Sequence, residues 1–187
     1  MSFVEVLRRV APKLEQSKMP YMITGSIAAS YYGLTRATQD LDIVIAASPT
    51  TLKTLIQLLP KDDYYAELAD ALNAHRQQSM FNVLDMTTGW KIDLIFQKSA
   101  PFHQEAFRRR KAVTLEGVPT FIISGEDLIL SKLEWSKMGE SERQVKDAAI
   151  ILQKRLSELD RTYLEKWIAE LGLSSQWDQA RKLTGLE

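Results

Sequence analysis

Apolar residues recur at Phe3, Val6, Leu7, Val10 and Leu14, the spacing that lines one face of a helix over residues 3–16. Pro20 then leads into Tyr21-Met22-Ile23-Thr24, which reads as a short buried strand broken by Gly25-Ser26. Ser26 can cap a short helix running to Gly33. Over 39–46 the period changes, with Leu41, Ile43 and Ile45 alternating with Asp40, Asp42 and Val44, so this stretch predicts a strand with one apolar face. Leu52, Leu55, Ile56 and Leu59, after Pro49, predict a helix ended by Pro60, and another helix is expected over 64–75. Residues 80–86 and 90–96, joined by Thr87-Thr88-Gly89, predict a β-hairpin. A helix over 101–110 and two short strands around Gly117 within 112–123 complete this half. After Ser124-Gly125-Glu126 the texture turns helical, over about 126–138, 141–157, 160–171 and 175–184. The expected organisation is an α+β core over 1–123, followed by a helical C-terminal region over 124–187 packed on that core. No internal repeat or low-complexity linker interrupts it.

Composition narrows the class without choosing a function. At 187 residues, with 45% apolar and 26% charged side chains, the chain can bury one sizeable core and reads as an ordinary globular protein. No apolar run approaches the roughly 18 residues that span a bilayer, and Met1-Ser2-Phe3-Val4-Glu5 lacks the basic-then-apolar texture of a signal peptide. The absence of cysteine excludes disulfides and thiolate metal sites and fits a reducing compartment, so a cytoplasmic location is expected. Lys and Arg number 24, as do Asp and Glu. That balance lacks the basic surplus usual in proteins that grip long nucleic acids, although Arg108-Arg109-Arg110-Lys111 forms one local cluster.

Three carboxylates stand out against that neutral background because their neighbours are apolar. Asp40 and Asp42 are two apart on a predicted strand and project to one face, while Leu41, Ile43 and Ile45 project to the other. Asp93 lies within Lys91-Ile92-Asp93-Leu94-Ile95-Phe96, and it completes a three-carboxylate cluster if that strand pairs beside the first. Carboxylates gathered in this way repel one another unless a cation joins them. All-oxygen ligands suit Mg²⁺ or Mn²⁺ rather than zinc, and two such ions roughly 4 Å apart can activate a hydroxyl and stabilise a leaving phosphate. Gly25-Ser26 adds a strand-to-helix turn at which a phosphate could approach the backbone. There is no Gly-x-x-x-x-Gly-Lys and no Gly-x-Ser-x-Gly, which removes the usual P-loop and α/β-hydrolase readings.

Taken in order, Gly25-Ser26, a helix, Arg36-x-Thr38-x-Asp40-Leu41-Asp42 and a later strand Asp93 resemble the nucleotidyltransferases of the DNA polymerase β superfamily. The similarity is greatest to the group around the AbiE-type abortive-infection toxins, and continues at Gly125-Glu126-Asp127-Leu128 to Lys132 and at Arg143 to Lys146-Asp147. The spacer between Gly-Ser and the acidic pair is longer than in many members. The resemblance implies a nucleotidyltransferase-type mixed β-sheet flanked by helices, with an NTP as donor and Mg²⁺ or Mn²⁺ as cofactor. Asp40 and Asp42 would hold the metals that carry the triphosphate. Asp93 would bind the catalytic metal and help deprotonate the acceptor hydroxyl, and Gly25 and Ser26 would meet the donor phosphates. The acceptor could be tRNA, a protein or a small molecule, and the toxin group implies an antitoxin protein as a candidate partner. The alternative is a module that keeps the fold and binds a nucleotide or a partner without catalysis.

Arg36 and Thr38 share parity with Asp40 and Asp42, so an extended backbone from 36 onward would align all four side chains. Arg36 could then neutralise Asp40 or contact a phosphate. Lys132 falls in an apolar helix arc near Leu128, Ile129 and Trp135. It could lay its stem on that surface with its amine in water, or reach a donor phosphate. Arg143 and Asp147 are four apart and could form an exposed ion pair.

Overall fold

The computed structural model of the chain describes residues 2–139 and 141–185. Its strands are β1 (Tyr21–Ile23), β2 (Asp40–Ile45), β3 (Tyr64–Tyr65), β4 (Met80–Asp85), β5 (Trp90–Phe96), β6 (Lys111–Leu115) and β7 (Val118–Ile122). They form one seven-stranded mixed sheet in the order β3-β4-β5-β2-β1-β7-β6. The expected α+β class is therefore observed. β2 pairs antiparallel with β1 and parallel with β5, which pairs antiparallel with β4 as the predicted hairpin. Alternation decides which face is covered: Leu41, Ile43 and Ile45 of β2 are fully buried, as are Ile92 and Leu94 of β5.

Helices α1 (Phe3–Gln16), α2 (Gly25–Tyr31), α3 (Pro49–Leu58), α4 (Leu68–Gln77) and α5 (Pro101–Arg108) follow the apolar spacing closely. The predicted face of α1 is the buried one, with Val6, Leu7, Val10, Ala11 and Leu14 inside, packed against β7 and α3. One expectation is corrected. The helix placed over 64–75 starts at Leu68, because Tyr64 and Tyr65 pair with Asp85 and Leu84 at the end of the hairpin. Adjacent tyrosines favour a pleated strand, and a partner edge was present to receive them.

The last part of the chain forms α6 (Gly125–Gly139), α7 (Glu142–Arg155), α8 (Arg161–Leu171) and α9 (Ser174–Thr184). Chain packing divides the molecule into two compact units, Met1–Ile27 with Ala37–Ile123, and Ala28–Arg36 with Ser124–Glu187. All seven strands fall in the first unit. In the second, α6 is buried nearly all round and packs on α7, whose Ala148 and Ala149 keep the facing surface small. Gly125-Glu126-Asp127 serves this packing. Ser124 Oγ donates to Asp127 Oδ2 at 2.7 Å, Tyr163 Oη donates to Asp127 Oδ1 at 2.6 Å, and Glu126 Oε1 accepts the Asp160 N–H at 3.1 Å. Among the described residues no helix is long and apolar enough to cross a membrane.

Candidate functional site

The register of three strands builds the site. Asp40 lies opposite Lys91 and Asp42 opposite Asp93 across the parallel β2–β5 pair. On the other side of β5, Leu84 lies opposite Lys91 and Asn82 opposite Asp93. Directly paired residues share a face of the sheet. Asp42, Asp93 and Asn82 therefore form one row across three strands, and Asp40, Lys91 and Leu84 form the next. The other face of the same strands is the core side, where Leu41, Ile43, Ile92 and Leu94 are buried.

Burial separates the carboxylates. The Asp93 side chain is only 8% exposed, and its Oδ1 is a buried acceptor with no hydrogen-bond partner, whereas the Asp40 side chain is 52% exposed. The Asp42 carboxyl is pushed above its ordinary range, first by burial and then by the charge of Asp93, while the Ser26 backbone N–H and the Lys91 charge pull it back. Lys91 Nζ stands 3.0 Å from Asp93 Oδ2 and 3.5 Å from Asp40 Oδ1. The hydrogen bond to Asp93 is the main reason that this amine is held above its usual range.

Gly25 begins α2 at φ +61°, and a Cβ there would overlap the Asp42 carboxylate. This close approach is what glycine permits: the backbone sits against the acid and the next N–H, that of Ser26, donates to it. Thr24 N–H also bonds the Asp42 carbonyl at 2.9 Å, fixing the turn to the strand. The turn at which a phosphate was expected to approach the backbone thus spends its Ser26 N–H on Asp42.

The expected three-carboxylate cluster is corrected in one respect. Among the described residues, no three His, Asp or Glu side chains gather closely enough to hold a metal between them. Asp42 and Asp93 are neighbours, but Asp40 opens β2 at its exposed end, where its register partner Lys91 engages it. The donor set still fits a hard cation. Mg²⁺ is commonly held by one or two carboxylates with substrate phosphates supplying the rest, and Asp93 Oδ1 is an acceptor without a donor.

The other predicted residues take different positions. Residues 34–38 are irregular and β2 begins at Asp40, so the aligned strand expected from Arg36 onward is absent. Thr38 Oγ1 accepts the Asp40 N–H at 3.1 Å, which closes the start of the strand. Arg36 Nη1 lies 3.7 Å from Asp147 Oδ2 within the helical unit, and the cation beside Asp40 is Lys91. Lys132 is buried, with Nζ 2.9 Å from Asp147 Oδ2 and 3.2 Å from Gln144 Oε1, so its amine reaches an acid across α6 and α7 instead of water. Asp147 is likewise buried, not the exposed partner expected for Arg143. Within the basic cluster, Arg108 bonds Glu105 at 2.9 Å, and Arg110 stacks on Phe107 and Phe121.

Sequence reasoning missed Lys91 and Asn82. Lys91 could have been found, because it is two residues before Asp93 and so shares its face. Asn82 needed the antiparallel register, which no local pattern supplies.

The fold that carries this arrangement is similar to that of solved nucleotidyltransferase structures. The chain is similar to ANT(2″)-Ia in complex with adenylyl-2″-tobramycin, at 14% identity and a TM-score of 0.60 over 92% of this chain and 98% of that one. It is also similar to an antigenic nucleotidyltransferase-like protein from Paracoccidioides brasiliensis, at 16% identity and a TM-score of 0.54 over 94% and 91% of the two chains. JHP933 from Helicobacter pylori gives 18% identity and a TM-score of 0.53 over 97% and 87%. No family model matches the chain, and no curated protein is similar in sequence at a significant level.

Proposed function

We propose that the protein is a metal-dependent nucleotidyltransferase that moves a nucleoside monophosphate from an NTP to an acceptor hydroxyl and releases pyrophosphate. The observation that carries this reading is the pairing of Asp42 with Asp93 on adjacent parallel strands, with the Gly25 backbone pressed against Asp42. Asp42 and Asp93 would hold a divalent Mg²⁺ or Mn²⁺ ion, with substrate phosphates supplying further oxygen ligands. Bound there, the ion supplies Lewis-acid charge to the donor phosphates and lowers the pKa of the acceptor hydroxyl. Asp93 would accept the hydroxyl proton, a role supported by its Oδ1, an acceptor with no donor. Gly25 lets the backbone close on Asp42, and Ser26 orients that carboxylate and would meet the donor phosphates. Thr38 fixes the start of β2, so Asp40 faces the same way as Asp42. Arg36 and Lys132 act through the helical unit, where both engage Asp147.

The acceptor and a toxin role with a cognate antitoxin belong to the same proposal. The toxin role rests on the motif resemblance at 125–132 and 143–147. Incubation with each NTP and Mg²⁺ in cell extract, using wild type beside Asp42→Asn, tests the reaction. Nucleotide transfer by wild type and none by the variant is expected, and equal transfer by both would refute the assignment.

A further inference from the structure

Lys91 has no place in the reaction just proposed, yet it lies in the row beside Asp42 and Asp93, next to Asp40. Its ammonium is 3.0 Å from Asp93 and 3.5 Å from Asp40. A single positive charge therefore serves two carboxylates. Resting on the metal-dependent reading above, we propose that Lys91 is an internal counter-cation that competes with the divalent ion for Asp93. It sets how tightly the site holds that ion.

The chemistry supports competition over permanent pairing. The Lys91 side chain is 41% exposed and sits on a flexible four-carbon stem, so its amine can swing into water without unpacking anything. Asp93 is different, being almost wholly buried on a central strand and unable to turn away from its site. Only one partner of the pair is free to leave. A divalent ion reaching the buried Asp93 must take over an oxygen that Lys91 bonds or sit close to the ammonium, and both cost affinity. In return, a lysine here shields the carboxylates from one another whenever the ion has departed. Serving as a counter-cation in this way makes Lys91 a positioning residue for the metal ligands, with no contact to the reacting atoms required.

Mn²⁺ titration followed by electron paramagnetic resonance of the free ion, without nucleotide, tests this on the full chain. Wild type, Lys91→Met and Lys91→Arg are compared, with circular dichroism melting of each to establish folding. Lys91→Met should bind Mn²⁺ at least about tenfold more tightly, the scale expected for removing one adjacent positive charge. Lys91→Arg should stay near wild type. Lys91→Met should also melt lower without metal and recover more with Mn²⁺ than wild type does. Equal Mn²⁺ affinity in wild type and a folded Lys91→Met would overturn this inference while leaving the metal site standing. No Mn²⁺ binding by either protein would overturn the metal site and the inference together.

Discussion

Asp42 is held against its own charge. Burial and the neighbouring Asp93 raise its carboxyl above the ordinary value of 3.8, opposed only in part by the Ser26 N–H and by Lys91. A raised carboxyl binds more protons folded than unfolded, so it supports the fold fully below its unfolded pKa. That support is lost as pH climbs through the folded value. Asp42→Asn keeps an acceptor for Ser26 and removes the charge. Thermal melting without metal should show the variant gaining on wild type as pH rises from about 4 to 7. The same change should lower transfer at least about a hundredfold, the scale of one lost transition-state contact. A variant both steadier and inactive would mark Asp42 as a functional carboxylate. Gly25 is the complementary case. A Cβ at φ +61° would be strained and would meet the Asp42 carboxylate. Gly25→Ala should cost at least roughly 1–2 kcal/mol in a urea melt and reduce transfer as well.

At the scale of elements, the acids depend on pairing between strands far apart in sequence. The alternation within β2 revealed which face Asp40 and Asp42 share, because side-chain parity is a local property. Their alignment with Asp93 needed β2 and β5 to lie side by side in parallel, and a period-two pattern says nothing about partners. The same limit explains Asn82 and the two-residue strand at Tyr64. Lys132 was legible as a lysine in an apolar arc, but its partner Asp147 sits on the next helix, so both readings of its amine missed a buried ion pair. That pair makes its own prediction. Asp147→Ala would leave the Lys132 charge buried without its carboxylate and should destabilise by about 3–5 kcal/mol in chemical denaturation. Lys132→Met combined with Asp147→Leu should lose much less.

Across the whole molecule, the helices and strands were readable because the apolar period switches cleanly from two to about 3.6 residues, whereas the mixed sheet was implied by the resemblance alone. The assignment of 28–36 to the helical unit was not readable, since it depends on packing against a segment that begins only at Ser124. Charge is balanced at 24 against 24, and within the one basic cluster Arg108 is paired with Glu105 and Arg110 stacks on Phe107 and Phe121. Binding of tRNA should therefore be no tighter than ordinary non-specific association, with Kd about 10⁻⁴–10⁻⁶ M at physiological salt in a gel-shift titration. The central claim concerns which phosphorus moves. Parallel incubations in cell extract with Mg²⁺ and NTPs labelled at the α- or the γ-phosphate read this directly. The proposed reaction carries α-label onto an acceptor and leaves γ-label in pyrophosphate, and it stops in Asp93→Asn. Transfer of γ-label, or α-label transfer that survives Asp93→Asn, would contradict it.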